Sequence, residues 1–211
     1  MARPSIDAIT VADTPESWQA AGFTVDPDGT CRVGDVRVEL VGPERGKRIL
    51  GWSLRDVPDL ADLDGLPTTR ADREPAAPAT HPNGALAIDH IVVMSPDLAR
   101  TTEAFAGAGL DVRRTRAVDP SQYGFEARQV FFKLGDVILE LIGPDAPAGA
   151  DPARFFGLAH TVADLDATAA LLGPALGNVK DAVQPGRRIA TLRHKEVGVS
   201  VATAFMSPDP N

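Results

Sequence analysis

The chain has 211 residues, 44% of them apolar and 24% charged, with a net charge of −8 and a single cysteine. This length and mix suit one large or two small globular domains with a sizeable core. The acidic balance argues against nucleic acid and anionic membranes as partners, because both are polyanions. One thiol excludes an internal disulfide. No apolar run has the length of a signal peptide or a membrane span, so a cytoplasmic protein is expected.

Along the chain, residues 6–11 alternate as a strand, 15–21 read as a short helix, and 23–26, 30–33 and 36–41 read as strands. Cys31 falls in the strand 30–33 and reads as a small packing residue. Residues 49–54 form a strand, then a short helix follows Pro58-Asp59-Leu60. Residues 74–85, rich in Pro and Ala, read as a linker. A strand at 87–94, a helix at 96–106 and strands at 110–117, 127–134 and 136–142 come next. The series recurs as strand 156–162, helix 164–172, a short strand near 179–183, then strands 187–193 and 197–205. Asp59, Asp97 and Asp164 read as helix N-caps.

Internal similarity organises these elements. Leu86-Ala87-Ile88-Asp89-His90-Ile91-Val92-Val93-Met94 echoes Ser5-Ile6-Asp7-Ala8-Ile9-Thr10-Val11, and Gly135-Asp136-Val137-Ile138-Leu139-Glu140-Leu141-Ile142-Gly143-Pro144 echoes Gly34-Asp35-Val36-Arg37-Val38-Glu39-Leu40-Val41-Gly42-Pro43. The expected organisation is a shortened, degenerate half at 1–73, the linker at 74–85, and a domain at 86–211 built of two βαβββ repeats, 86–144 and 154–206. The fold class is α+β, with curved mixed sheets and helices on their outer face.

Paired βαβββ repeats that open on Ile88-Asp89-His90-Ile91-Val92-Val93 with Pro96-Asp97-Leu98 and close on Leu134-Gly135-Asp136-Val137-Ile138-Leu139-Glu140-Leu141-Ile142 resemble the vicinal-oxygen-chelate superfamily. That superfamily includes glyoxalases, extradiol dioxygenases, epimerases and bleomycin-resistance proteins. The resemblance covers 86–206 most closely and 4–70 more weakly. It implies a cup holding a small molecule, with metal ligands on the first and last strands of a repeat. Carried over, those positions are His90 and Glu140, with Glu140 also the catalytic group and one divalent ion (Zn, Fe, Mn or Ni) as cofactor. The residues agree in part: strand alternation turns His90 away from Ile91 and Val93, and a carboxylate within Val137–Ile142 needs a partner, a proton or a metal.

The other repeats depart from the pattern. Gly157 stands where His90 would recur, strand 197–205 has only Ser200 and Thr203 as nearby side-chain oxygens, and the first repeat has Glu39 at the Glu140 position but Ala8 at the His90 position. The ligand set is therefore two residues, short of the usual three. His160 lies out of phase with Gly157 and reads as structural. The substrate-binding set is Gln129, Phe131, Arg188 and Gly157, with Arg188 as an anion clamp or, equally, a rim charge beside Arg187. Phe156 and Ile138 add apolar contact. Tyr123 and Phe125 lie in a loop that could form a lid, and His81 and His194 read as solvated. No phosphate loop and no Ser-His-Asp order is present.

Two functions stay open. One is a metal-dependent lyase or isomerase, a dioxygenase being less favoured, acting on neighbouring substrate oxygens. The other is a metal-free drug- or metabolite-binding protein of the bleomycin-resistance type. A scaffold with a vestigial pocket is a third. Edge strands in the shortened half would permit a homodimer.

Overall fold

The computed structural model describes residues 3–118 and 126–210; the loop residues Tyr123 and Phe125 lie outside them. In order, the chain forms β1 (Ser5–Val11), α1 (Pro15–Ala20), β2 (Thr30–Val33), β3 (Val36–Leu40), β4 (Ile49–Arg55), β5 (Asp62–Leu63) and β6 (Leu66–Arg70). It continues with β7 (Ala85–Met94), α2 (Leu98–Gly107), β8 (Val112–Val118), β9 (Ala127–Leu134) and β10 (Val137–Pro144). The last series is β11 (Arg154–Val162), α3 (Leu165–Leu172), β12 (Lys180–Asp181), β13 (Arg188–Thr191) and β14 (Ala202–Met206). The strands form two mixed sheets, ordered β2-β3-β1-β4-β6-β5 and β12-β13-β14-β11-β7-β10-β9-β8, an α+β architecture of the glyoxalase-like type.

Turns fix the registers. Gly34 (φ 62°) begins the two-residue turn from β2 to β3, and Gly135 (φ 63°) begins its counterpart from β9 to β10. A positive φ at the first loop position suits a type II′ hairpin, which glycine forms without strain. Between β5 and β6, Asp64 and Gly65 both have positive φ, as a type I′ hairpin requires.

The chain divides into two compact units, each discontinuous: Met1–Asp7, Gly51–Arg73 and His90–Phe156 form the first; Ala8–Leu50, Glu74–Asp89 and Gly157–Asn211 form the second. In the first unit, β10 pairs parallel with β7 and antiparallel with β9, which pairs antiparallel with β8. Helix α2 covers one face of these strands. Asp97 caps it by accepting from the Arg100 N–H at 3.0 Å, and Phe105 meets Phe132 edge-on at 5.2 Å. Both rings are fully buried, each contributing about 1.5–3 kcal/mol.

In the second unit, β11 pairs parallel with β14, β14 antiparallel with β13, and β1 parallel with β3. Trp18, Phe23, His160 and Phe205 pack together there, with Trp18 and Phe23 centroids 4.9 Å apart and Phe23 and His160 5.0 Å apart. His160 is fully buried. Asp13 accepts from the Trp18 indole at 3.0 Å and from the backbone N–H of Ser200.

Several expectations fail for local reasons. Residues 23–26 are no strand: Phe23 is spent on the aromatic cluster, and the Asp26 N–H closes a turn on the Thr30 carbonyl at 2.8 Å. No helix follows Asp59; the space goes to the β5-β6 hairpin. The stretch 197–205 becomes strand only from Ala202, because His194–Val197 form a 3-10 turn. The 74–85 segment is tied down: the Ala76 and Ala79 N–H groups donate to the carbonyls of Asp35 and Arg32. His81 within it is buried rather than solvated. Its Nδ1 accepts from the Thr24 N–H at 3.0 Å while Nε2 faces the Arg32 carbonyl at 3.1 Å. Among the described residues, no helix is long and apolar enough to cross a membrane.

Candidate small-molecule site

Strand alternation sorts the side chains of the first unit into two sets. Ile91, Val93, Val130, Phe132, Leu139 and Leu141 are buried on the side of α2. His90, Glu140, Gln129, Phe131, Arg114 and Arg116 occupy the other side, on four successive strands. Register sets their neighbours: Glu140 lies opposite Val92 on β7 and Phe131 on β9, and Arg114 and Arg116 lie opposite Phe131 and Gln129. Val118, Ala127 and Ile142 form a buried apolar cluster beside them, with the partly buried Val92 packed against it.

His90 and Glu140 therefore meet on one face. Nε2 of the imidazole is 3.7 Å from Oε2 of the carboxylate, and both side chains are mostly buried. On the other side of Glu140, Gln129 donates from Nε2 to Oε1. Gln129 in turn accepts at its own Oε1 from Arg116, with Nε at 2.8 Å and Nη2 as second donor. A guanidinium has no acceptor, so Arg116 fixes the amide oxygen on its own side and turns the NH2 toward Glu140. Both arginines also stack on Phe131, with guanidinium carbons 5.6 Å (Arg114) and 5.8 Å (Arg116) from the ring centroid.

The donor chemistry does not make a catalytic metal set. His90 and Glu140 are two ligands where such sites usually have three. Gln129 cannot lend its oxygen without leaving Arg116, and the guanidinium sets a fixed positive charge beside any cation. Among the described residues, no three His, Cys, Asp or Glu side chains gather as a metal site.

The remaining candidates belong to the second unit or stand apart. Gly157 lies on β11 opposite Ala202, so close that a Cβ there would sit 2.4 Å from the Ala202 carbonyl oxygen. Arg188 is held by Asp166 through two hydrogen bonds, at 2.9 and 2.8 Å, on the surface. Phe156 is 40% exposed. Thr203 donates to the Val201 carbonyl, and the Ser200 hydroxyl accepts from the Arg48 N–H. Arg187 is no rim charge: it is buried with Asp89, which also accepts from Thr161 at 2.9 Å. Asp7, the counterpart of Asp89, is fully buried with Arg55 at 3.0 Å and Arg73 at 2.6 Å.

Sequence reasoning missed Arg114 and Arg116, whose roles depend on the β8-β9 register. It also missed Asp7 and Asp89, although the rule applied to Glu140, that a carboxylate in an apolar strand must be compensated, marks both.

Residues 89–191 match the family model described as the Glyoxalase/Bleomycin resistance protein/Dioxygenase superfamily. Among solved structures, a variant of 4-hydroxymandelate synthase from Streptomyces coelicolor is similar at 16% identity, over 97% of this chain and 92% of that one, with a TM-score of 0.66. A xylose isomerase-like TIM barrel/4-hydroxyphenylpyruvate dioxygenase fusion protein matches at 12% identity, over 100% of this chain and 49% of that one, with a TM-score of 0.63. These likenesses establish the fold. A variant of Streptomyces coelicolor methylmalonyl-CoA epimerase in complex with 2-nitronate-propionyl-CoA matches at 26% identity, over 57% of this chain and 95% of that one, with a TM-score of 0.43. No curated protein matches the chain.

Proposed function

We propose, for a chain that belongs through residues 89–191 to the Glyoxalase/Bleomycin resistance protein/Dioxygenase superfamily, that the β7-β10-β9-β8 face binds a small organic molecule without a metal ion. Members of the superfamily commonly use a divalent metal. The observation that carries the metal-free reading is the Arg116–Gln129–Glu140 chain of hydrogen bonds. It engages the Gln129 amide oxygen and one Glu140 oxygen in hydrogen bonds within the site.

Each side chain then has a stated part. Phe131 and Val92, both only partly buried, offer apolar contact to the ligand body. Glu140 Oε2 and His90 Nε2, side by side, present an acceptor and a ring nitrogen to a ligand hydroxyl or N–H. Gln129, held from behind by Arg116, keeps the carboxylate in one orientation. This arrangement supports the binding-protein reading over the metal-dependent lyase or isomerase.

The test begins with protein purified without added metal, analysed for metal content and titrated with Zn, Mn and Ni ions. Bound metal well below one equivalent is expected, with small-molecule binding unchanged by a chelator and weakened by Phe131→Ala. One tightly held equivalent that disappears in His90→Ala would overturn the reading and restore the metal-dependent enzyme.

A further inference from the structure

The three arginines of β8 are an unusual feature of the first unit. The chain as a whole is acidic, yet Arg113, Arg114 and Arg116 stand within four residues on this strand. Arg114 and Arg116 point to the same side as His90 and Glu140 and share the Phe131 ring. Two like charges over one ring repel each other, and each carries five donors with no acceptor. Arg116 satisfies part of its fork on the Gln129 amide oxygen, a neutral group. Arg114 forms no ion pair among the described residues and stacks on the face of Phe131. Two other exposed arginines are matched by carboxylates, Arg128 by Asp145 at 2.7 Å and Arg188 by Asp166 at 2.8 Å.

We infer that Arg114 and Arg116 receive an oxyanion, a carboxylate or a phosphate, at one end of a small ligand whose flat or apolar body lies on Phe131. This deepens the proposed function and rests on it. The guanidinium fork suits either group, since both offer paired oxygens to parallel N–H donors. The strand order gives the ligand a direction. Glu140 is on β10, Phe131 on β9 and the arginines on β8. Neighbouring strands lie about 4.8 Å apart, so about 10 Å separates the carboxylate strand from the arginine strand. An anion at β8 therefore escapes the repulsion of Glu140, while the opposite end of the same molecule reaches Glu140 and His90. The Arg116–Gln129–Glu140 bonds link the two ends.

The test uses the full chain and three simple probes, benzoate, phenyl phosphate and the neutral benzamide, with dissociation constants read by ligand-observed NMR. Benzoate, phenyl phosphate or both should bind at least about tenfold more tightly than benzamide. Arg114→Gln should remove that preference, and Lys133→Gln, an exposed cation two residues from Phe131 on β9, should not. Binding by benzoate alone identifies a carboxylate ligand, and by phenyl phosphate alone a phosphate. Equal binding of all three probes, or equal effects of Arg114→Gln and Lys133→Gln, would overturn the anion inference. If Phe131→Ala still abolishes binding in that case, the ligand face itself stands. Failure of every probe to bind, or binding indifferent to Phe131→Ala, would overturn both.

Discussion

Arg116 decides which way the Gln129 amide faces. By taking the oxygen at 2.8 Å, the guanidinium leaves the NH2 no direction but Glu140, so a side chain on the edge strand sets the environment of a carboxylate two strands away. Gln129 is buried and bonded at both ends. Gln129→Leu leaves the Arg116 fork and one Glu140 oxygen without these partners and should cost about 1–3 kcal/mol. Urea unfolding of the variant measures this; an unchanged midpoint would show that solvent replaces both bonds at no cost.

The Asp89–Arg187 pair makes a larger prediction. Both side chains are nearly buried, and Arg187 is further anchored by donating to the Ser207 carbonyl at 3.0 Å. Asp89→Ala should destabilise the protein by about 3–5 kcal/mol, because it strands a buried cation. Replacing both residues by leucine should recover much of that loss. A double variant as unstable as the single one would show that the pair contributes beyond mutual compensation.

Gly157 is expected to tolerate no side chain. An alanine Cβ would fall 2.4 Å from the Ala202 carbonyl oxygen, on a backbone already locked by parallel pairing. Gly157→Ala should lower stability by about 1–3 kcal/mol. Gly149→Ala, where nothing lies within 4 Å of the added carbon, serves as the control. Equal melting temperatures for the two variants would contradict the close approach.

Much of the architecture was legible because alternation and turn chemistry are local. The Gly-Asp hairpins, the Asp97 and Asp164 caps and the His90 and Glu140 faces all follow from neighbours a few residues apart. What escaped depends on partners remote in sequence. Arg116 meets Gln129 only through the β8-β9 register. The buried state of His81 depends on Thr24 and Arg32, more than forty residues earlier. The absent helix after Asp59 shows the reverse limit: a capping aspartate permits a helix without providing the apolar face that would bury it.

His81 should make stability pH-dependent in a defined direction. Burial holds its pKa below the ordinary 6.5, and its Nδ1 must stay unprotonated to accept from Thr24. The unfolded chain thus takes up a proton more readily than the folded one. The stabilisation is present above about pH 6.5 and is lost as pH falls below it. The gap in urea midpoint between wild type and His81→Gln should narrow from pH 7.5 to pH 5.5; a gap that widened would reverse the sign.

Cys31 is fully buried, and burial raises its thiol pKa to about 12. With almost no thiolate available, native protein should react with Ellman's reagent far more slowly than protein in denaturant. Equal rates in the two conditions would show that β2 opens readily.

The discontinuity of the second unit bears on how the protein can be made. Its early residues, from Ala8 to Leu50, share a core with the last stretch, from Gly157 onward, and Asp13 waits for a backbone N–H 187 positions later. On the ribosome, Trp18 and Phe23 must leave the exit tunnel long before Phe205 exists. The nascent N-terminal segment therefore stays exposed until the stretch from Gly157 onward has been made, and this unit cannot close its core before then.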